Sequence, residues 1–135
     1  MDITKKIKSY EDACKALNLD PANLPVVDNL PEKDRKYIVA YYKLTVIIRA
    51  LNEGWEPNWQ DWDEYKYFNW FYIDFAGFAC AVSYYAVTDS DTNFGSRLCF
   101  KNATLARYAR ETFESLYLDY LFIEIPQTYN NNSKK

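Results

Sequence analysis

The sequence predicts an α+β fold: two N-terminal helices, a three-stranded antiparallel meander, and a C-terminal helix packed on the sheet. Three observations carry this. A helical period of apolar residues runs from Pro31 to Gly54, a period of two takes over between Tyr65 and Val87, and Asn102 opens a last amphipathic segment. A chain of 135 residues is long enough for one core and too short for two, so residues 1–126 are expected to form a single domain. The remaining 127–135, read as a flexible tail, have nothing to bury.

Taken in order, Ser9-Tyr10-Glu11-Asp12 is a capping-box pattern, which places a short helix from about Tyr10 to Asn18 with Ala13, Cys14 and Leu17 inward. Asp20-Pro21 ends it, and an irregular connector follows. Pro31 suits a first helical turn, and Glu32 and Asp34 complement the positive end of the helix dipole. Apolar residues then recur at Tyr37, Ile38, Tyr41, Leu44, Ile48 and Leu51, with Val39, Ala40, Val46 and Ile47 widening the stripe. This helix should be buried on two sides or meet another copy of itself.

Trp55 to Glu64 reads as a loop by its proline and asparagine, yet it holds three of the four tryptophans. From Tyr65 to Val87 a hairpin breaks at Ala76-Gly77. A two-residue turn there puts Phe68, Trp70 and Tyr72 on one face with Tyr85. Ser96 to Phe100 is expected as the third strand. Asn102 then caps a single last helix whose inner residues are Leu105, Ala109, Phe113, Leu116, Tyr117 and Tyr120.

Composition excludes more than it assigns. There is no histidine, which removes histidine acid–base catalysis, Ser-His-Asp and Cys-His pairs, and most zinc or iron sites. No metal or other cofactor is expected, and no enzyme activity. Cys14, Cys80 and Cys99 are widely spaced and read as buried reduced thiols. A net charge of −3 argues against a dedicated duplex-DNA or anionic-membrane binder. The opening MDITKKIKSYED lacks an apolar core segment, and no run is long enough to span a bilayer; the expectation is a soluble, intracellular protein.

Two groups of candidate site residues remain. The aromatic surface comprises Trp55, Trp59 and Trp62 of the loop with Phe68, Trp70, Tyr72 and Tyr85 of the hairpin. Such rings suit a protein interface or base stacking, and equally a core covered by the last helix. The anion candidate is Arg97, Lys101, Arg107 and Arg110 around the start of the last helix, where backbone N–H groups and positive charge would meet a phosphate. Pairing with Glu111 and Glu114 is the plainer alternative. Asp89 to Asn93 imitates half of a calcium loop, but Phe100 stands where a bidentate carboxylate is needed, so it reads as a turn. Glu53, Glu56, Asp61, Asp63 and Glu64 form an acidic run with no base until Lys66; a solvated loop competes with a site for a metal or a basic partner.

The segments EDACKALN at 11–18, LPEK at 30–33, ALNEGWEPNW at 50–59, EYKYFNWF at 64–71, GSRLCFK at 95–101 and the LARYARETFESLYLDY helix resemble one family. It is a family of small uncharacterised proteins of tailed phages and prophages of gut Bacteroidota, including crAss-like phages. Asn69 stands where that pattern has proline. The resemblance implies a phage product acting in the host cytoplasm or carried in the virion, and it brings no functional residues with it. Together these readings give the expectation of a non-catalytic phage accessory protein that binds a host or phage protein or assembles with itself. The alternative is a nucleotide or single-stranded nucleic-acid binder that stacks bases on Trp70 and Tyr72 and holds phosphate with the four basic residues.

Overall fold

The computed structural model of the chain describes residues 2–74, 77–86 and 95–124; for 72–74, 77–84 and 86 it describes the backbone alone. The Asp89–Asn93 loop and the tail lie outside the described residues, as do the side chains of Tyr72 and Cys80. Five α-helices and one two-stranded ladder account for the regular structure among the described residues: α1 (Ile3–Lys6), α2 (Tyr10–Leu17), a 3₁₀ turn (Glu32–Asp34), α3 (Arg35–Leu51), β1 (Lys66–Asp74), β2 (Gly77–Ala86), α4 (Ala103–Thr112) and α5 (Glu114–Leu121).

The predicted caps form. The Ser9 hydroxyl accepts from the Asp12 N–H at 3.0 Å, and the Asp12 carboxylate answers by accepting from the Lys8 N–H. Asn102 accepts from the Leu105 N–H at 2.9 Å. The long helix α3 packs against α2 on one side and α5 on another. Its C-terminal half is accordingly buried all round, from Leu44 through Ile48, while Tyr37 near its start is exposed. Glu53 and Gly54 then both take left-handed backbone (φ 49° and 88°), which turns the chain sharply out of the helix.

One core joins Ile7, Tyr10, Ala13 and Cys14 to the α3 stripe, Leu98, Phe100, Leu105, Ala109, Phe113 and Tyr117. The Tyr108 hydroxyl donates to the Ile7 carbonyl at 2.6 Å, tying α4 to the N-terminal segment. Burial and the neighbouring Tyr41 ring raise the Tyr120 phenol above its usual range.

The three-stranded meander does not form, and the α+β assignment falls with it: the described residues are mainly helical, carrying a single hairpin. Ser96–Phe100 contributes one bridge, Phe100 to Tyr67, through hydrogen bonds of 2.7 and 3.0 Å. The reason lies in burial and in Asn52. Leu98, Cys99 and Phe100 are buried one after another, without the alternation of a strand that has one wet face. On the side away from β1, the Asn52 amide donates to the Cys99 carbonyl at 3.0 Å and accepts from the Lys101 N–H at 3.1 Å. A single side chain thus does the work of a neighbouring strand.

The last helix is also divided. Phe113, at φ −115° and ψ 29°, leaves helical geometry and separates α4, which packs on the hairpin, from α5, which packs on α3. Breaking there lets the two halves serve different neighbours.

In the hairpin, Asp74 pairs with Gly77 and Ile73 with Phe78, a register one residue away from that of a turn at Ala76-Gly77. A bulge at Ala81 follows, since Trp70 pairs with Val82 but Phe71 with Cys80. These shifts redistribute the predicted faces. Tyr85 is the partner of Tyr67, and Trp70 belongs to the opposite set of the pleat.

Candidate functional site

The Trp55–Lys66 loop is built around two side chains of opposite charge. Glu64 accepts from the Asn58 N–H at 2.7 Å and from the Trp55 indole N–H at 3.3 Å. Lys66 is fully buried; its ammonium donates to the carbonyls of Asp61 (2.9 Å) and Glu64 (3.0 Å) and lies 3.3 Å from the Glu64 carboxylate. It also stands 5.4 Å from the centre of the Trp59 ring. A buried cation with three oxygen partners and an aromatic face is a satisfied one, so Lys66 serves the loop's structure.

Further ties close the loop. The Trp59 indole N–H donates to the Ser96 hydroxyl at 2.8 Å, and the side chains of Asn58 and Asp61 each accept from a backbone N–H two residues on. Trp55 and Trp59 are half-buried by these contacts. Trp62, between Asp61 and Asp63, is 74% exposed on a loop that is otherwise fastened down. The acidic run therefore splits: Glu64 is taken into the loop, while Glu56 stays exposed, as do Asp61 and Asp63 on either side of Trp62 in sequence.

The hairpin rings do not form the platform expected of them. Tyr85 stacks on Tyr65 with centroids 4.3 Å apart and planes 13° apart, and Tyr67 joins them at 6.2 Å from each. Trp70 and Tyr85 are each 52% exposed, in different sets of the pleat, and Phe68 is half-buried. Asn69 lies between β1 and the helices: its amide donates to the Ala106 carbonyl at 3.0 Å and the Tyr117 hydroxyl at 3.3 Å. The Asn69 side chain thus ties the hairpin to α4 and α5.

The four basic residues are not gathered at one point. Lys101 pairs with Glu53 at 3.4 Å, beside the Asn52 clamp. Arg97 and Arg107 are exposed, and Arg110 stands in the last turn of α4, about 12 Å along the helix from Asn102. There its charge complements the negative end of the helix instead of the start.

The two described cysteines, Cys14 and Cys99, are free and buried. Burial, the dominant cause, pushes the Cys99 thiol up to about 12, well away from nucleophile chemistry. Burial likewise raises the Tyr10 phenol, whose hydroxyl donates to the Pro21 carbonyl at 3.2 Å. Among the described residues no three His, Cys, Asp or Glu side chains are grouped to hold a metal, and no helix is long and apolar enough to cross a membrane.

An open groove of about 800 Å³ lies elsewhere, along the start of α3, lined by Val27, Pro31, Lys33, Lys36, Val39 and Ile123. None of the sequence-predicted site residues borders it. Sequence reasoning also missed Asn52 and Lys66, whose signals were faint: an asparagine just before the helix-ending Glu53-Gly54, and a lone base closing an acidic run.

The site thus defines a mainly helical protein that displays one tryptophan on a fastened acidic loop. No protein-family model, curated protein or solved structure matches this chain.

Proposed function

We propose that this protein acts without catalysis, by binding another protein through the Trp55–Lys66 loop with Trp62 as the anchoring side chain. The observation that carries this is the 74% exposure of Trp62 on a loop held by the Glu64–Lys66 pair. Tryptophans are over-represented among the few residues that dominate binding energy. A loop already ordered loses little further freedom on association. Exposed Asp61 and Asp63, the sequence neighbours of Trp62, favour a partner whose apolar pocket has a positive rim.

The resemblance to phage and prophage proteins supports a target within the infected host cell, or a neighbouring protein of the virion. A nucleotide or single-stranded nucleic-acid ligand has less support, because Lys101 is engaged by Glu53 and Arg110 sits at the far end of α4.

The test is affinity capture from host-cell lysate by the immobilised wild-type protein and by Trp62→Ala, alongside thermal unfolding of both. A protein retained by the wild type and lost by a normally folded Trp62→Ala supports the reading. Equal retention by both, or no retained protein, sinks it.

A further inference from the structure

The two edges of the hairpin are treated very differently. The outer edge of β1 is engaged at Tyr67, whose N–H and C=O both bond to Phe100. The outer edge of β2 has no backbone partner among the described residues. Strand β2 reads GFACAVSYYA: ten residues without a lysine, arginine, aspartate, glutamate or proline. Those are the residues by which an edge strand ordinarily discourages pairing, and their absence leaves a long uncharged edge.

The bridge to Phe100 also determines which groups face outward. Because Tyr67 turns both its polar groups toward Phe100, its pairing with Tyr85 is the kind without direct hydrogen bonds. Tyr85 therefore turns its own N–H and C=O away from β1. Ser83, two residues before it and paired with Asn69, does the same. Between them, Tyr84 directs its N–H and C=O inward to β1.

We propose that β2 is a self-pairing edge, and that two copies of this chain join antiparallel along it around a two-fold axis through Tyr84. In this register Ser83 of one copy faces Tyr85 of the other, so each of the two symmetric pairs exchanges both of its hydrogen bonds. The segment suits its own reverse, being uncharged throughout, and closed two-fold pairing is the commonest form of assembly. Joining the two hairpins makes one four-stranded sheet. The half-exposed Tyr85 lies at this seam. The proposal is independent of Trp62 and its partner.

The experiment is native mass spectrometry and light scattering of the full chain over a dilution series, with amide hydrogen exchange on the same samples. The expected result is a dimer that dissociates on dilution, with the Ser83 and Tyr85 amides protected in the dimer and released in the monomer. Ser83→Pro removes an outward donor and no ladder bond, so it should give a monomer whose thermal midpoint matches that of the diluted, dissociated wild type. Tyr84→Pro removes an inward donor and should lower that midpoint. A wild-type monomer at every concentration overturns the proposal. So does a dimer that survives a folded Ser83→Pro, or amide protection at 83 and 85 that is the same at all concentrations. Should Ser83→Pro fail to fold, the exchange data on the wild type decide alone. Trp62→Ala should leave the dimer mass unchanged, which separates this proposal from the binding role of the loop.

Discussion

The large rings of this chain fall into two regions with opposite fates. Phe100, Phe113 and Tyr117 are shut inside the helical core, whereas Trp62, Tyr65, Trp70 and Tyr85 of the loop and hairpin keep about half or more of their surface. Both groups are similarly apolar, so hydrophobicity did not sort them. What differs is whether the ring joins the core cluster with the α3 and α4 side chains. Around Phe100 the peptide groups are bonded on one side by Tyr67 and on the other by Asn52, so the segment can leave water without loss. Trp62, by contrast, is 74% exposed although the Asp61 C=O and Asp63 N–H on either side of it are bonded.

Changes in each region should separate them. Phe100→Ala removes a ring that is 0% exposed and should cost about 3–5 kcal/mol in urea unfolding, the value for a core aromatic. A loss as small as that of a surface change would erase the distinction between the regions. Asn52→Ala leaves the Cys99 carbonyl and the Lys101 N–H without their partner, for an expected loss of about 1–3 kcal/mol. If the loss is negligible, the clamp does not explain why the 98–101 segment is buried.

Alkaline titration probes the same region more gently. The Cys99 thiol is raised in the fold from 9.0 to about 12 and the buried Tyr10 phenol is also raised, so both groups favour the fold only while protonated. Stability should be intact below pH 9 and fall as pH rises from there toward 12. Cys99→Ala should flatten part of that fall; an unchanged profile would assign it to other groups. Smallest of all, Trp62→Ala should shift stability by no more than about 0.5 kcal/mol, as befits a surface position. A large loss would place Trp62 in the core of the loop and remove it as a binding anchor.

Local signals were legible because they are satisfied within a few residues. Ser9 and Asn102 were readable as caps because a hydroxyl or amide oxygen three positions before a free N–H needs no distant partner. The α3 stripe and the hairpin strands were readable by their periods, although the register differs by one residue from the one expected. In the anion candidate, nearness in sequence to Asn102 was taken for nearness to the N–H groups of the helix start. Arg110 instead follows the helix to its far end.

By itself the sequence determined where α2 and α4 start, that β structure follows Gly54, and that the chain carries no histidine. Those are properties of residue type and short-range spacing. Tertiary structure alone decided that Ser96–Phe100 would be no strand, that Phe113 would divide the last helix, and that Trp62 would stand outside while Lys66 went in. Each of those outcomes depends on a hydrogen-bond acceptor or a packing surface brought in by folding: Asn52 from 47 residues away for Cys99, and for Lys66 the loop carbonyls of Asp61 and Glu64. A buried polar group goes where its partners are, and the partners are known only once the chain has closed on itself.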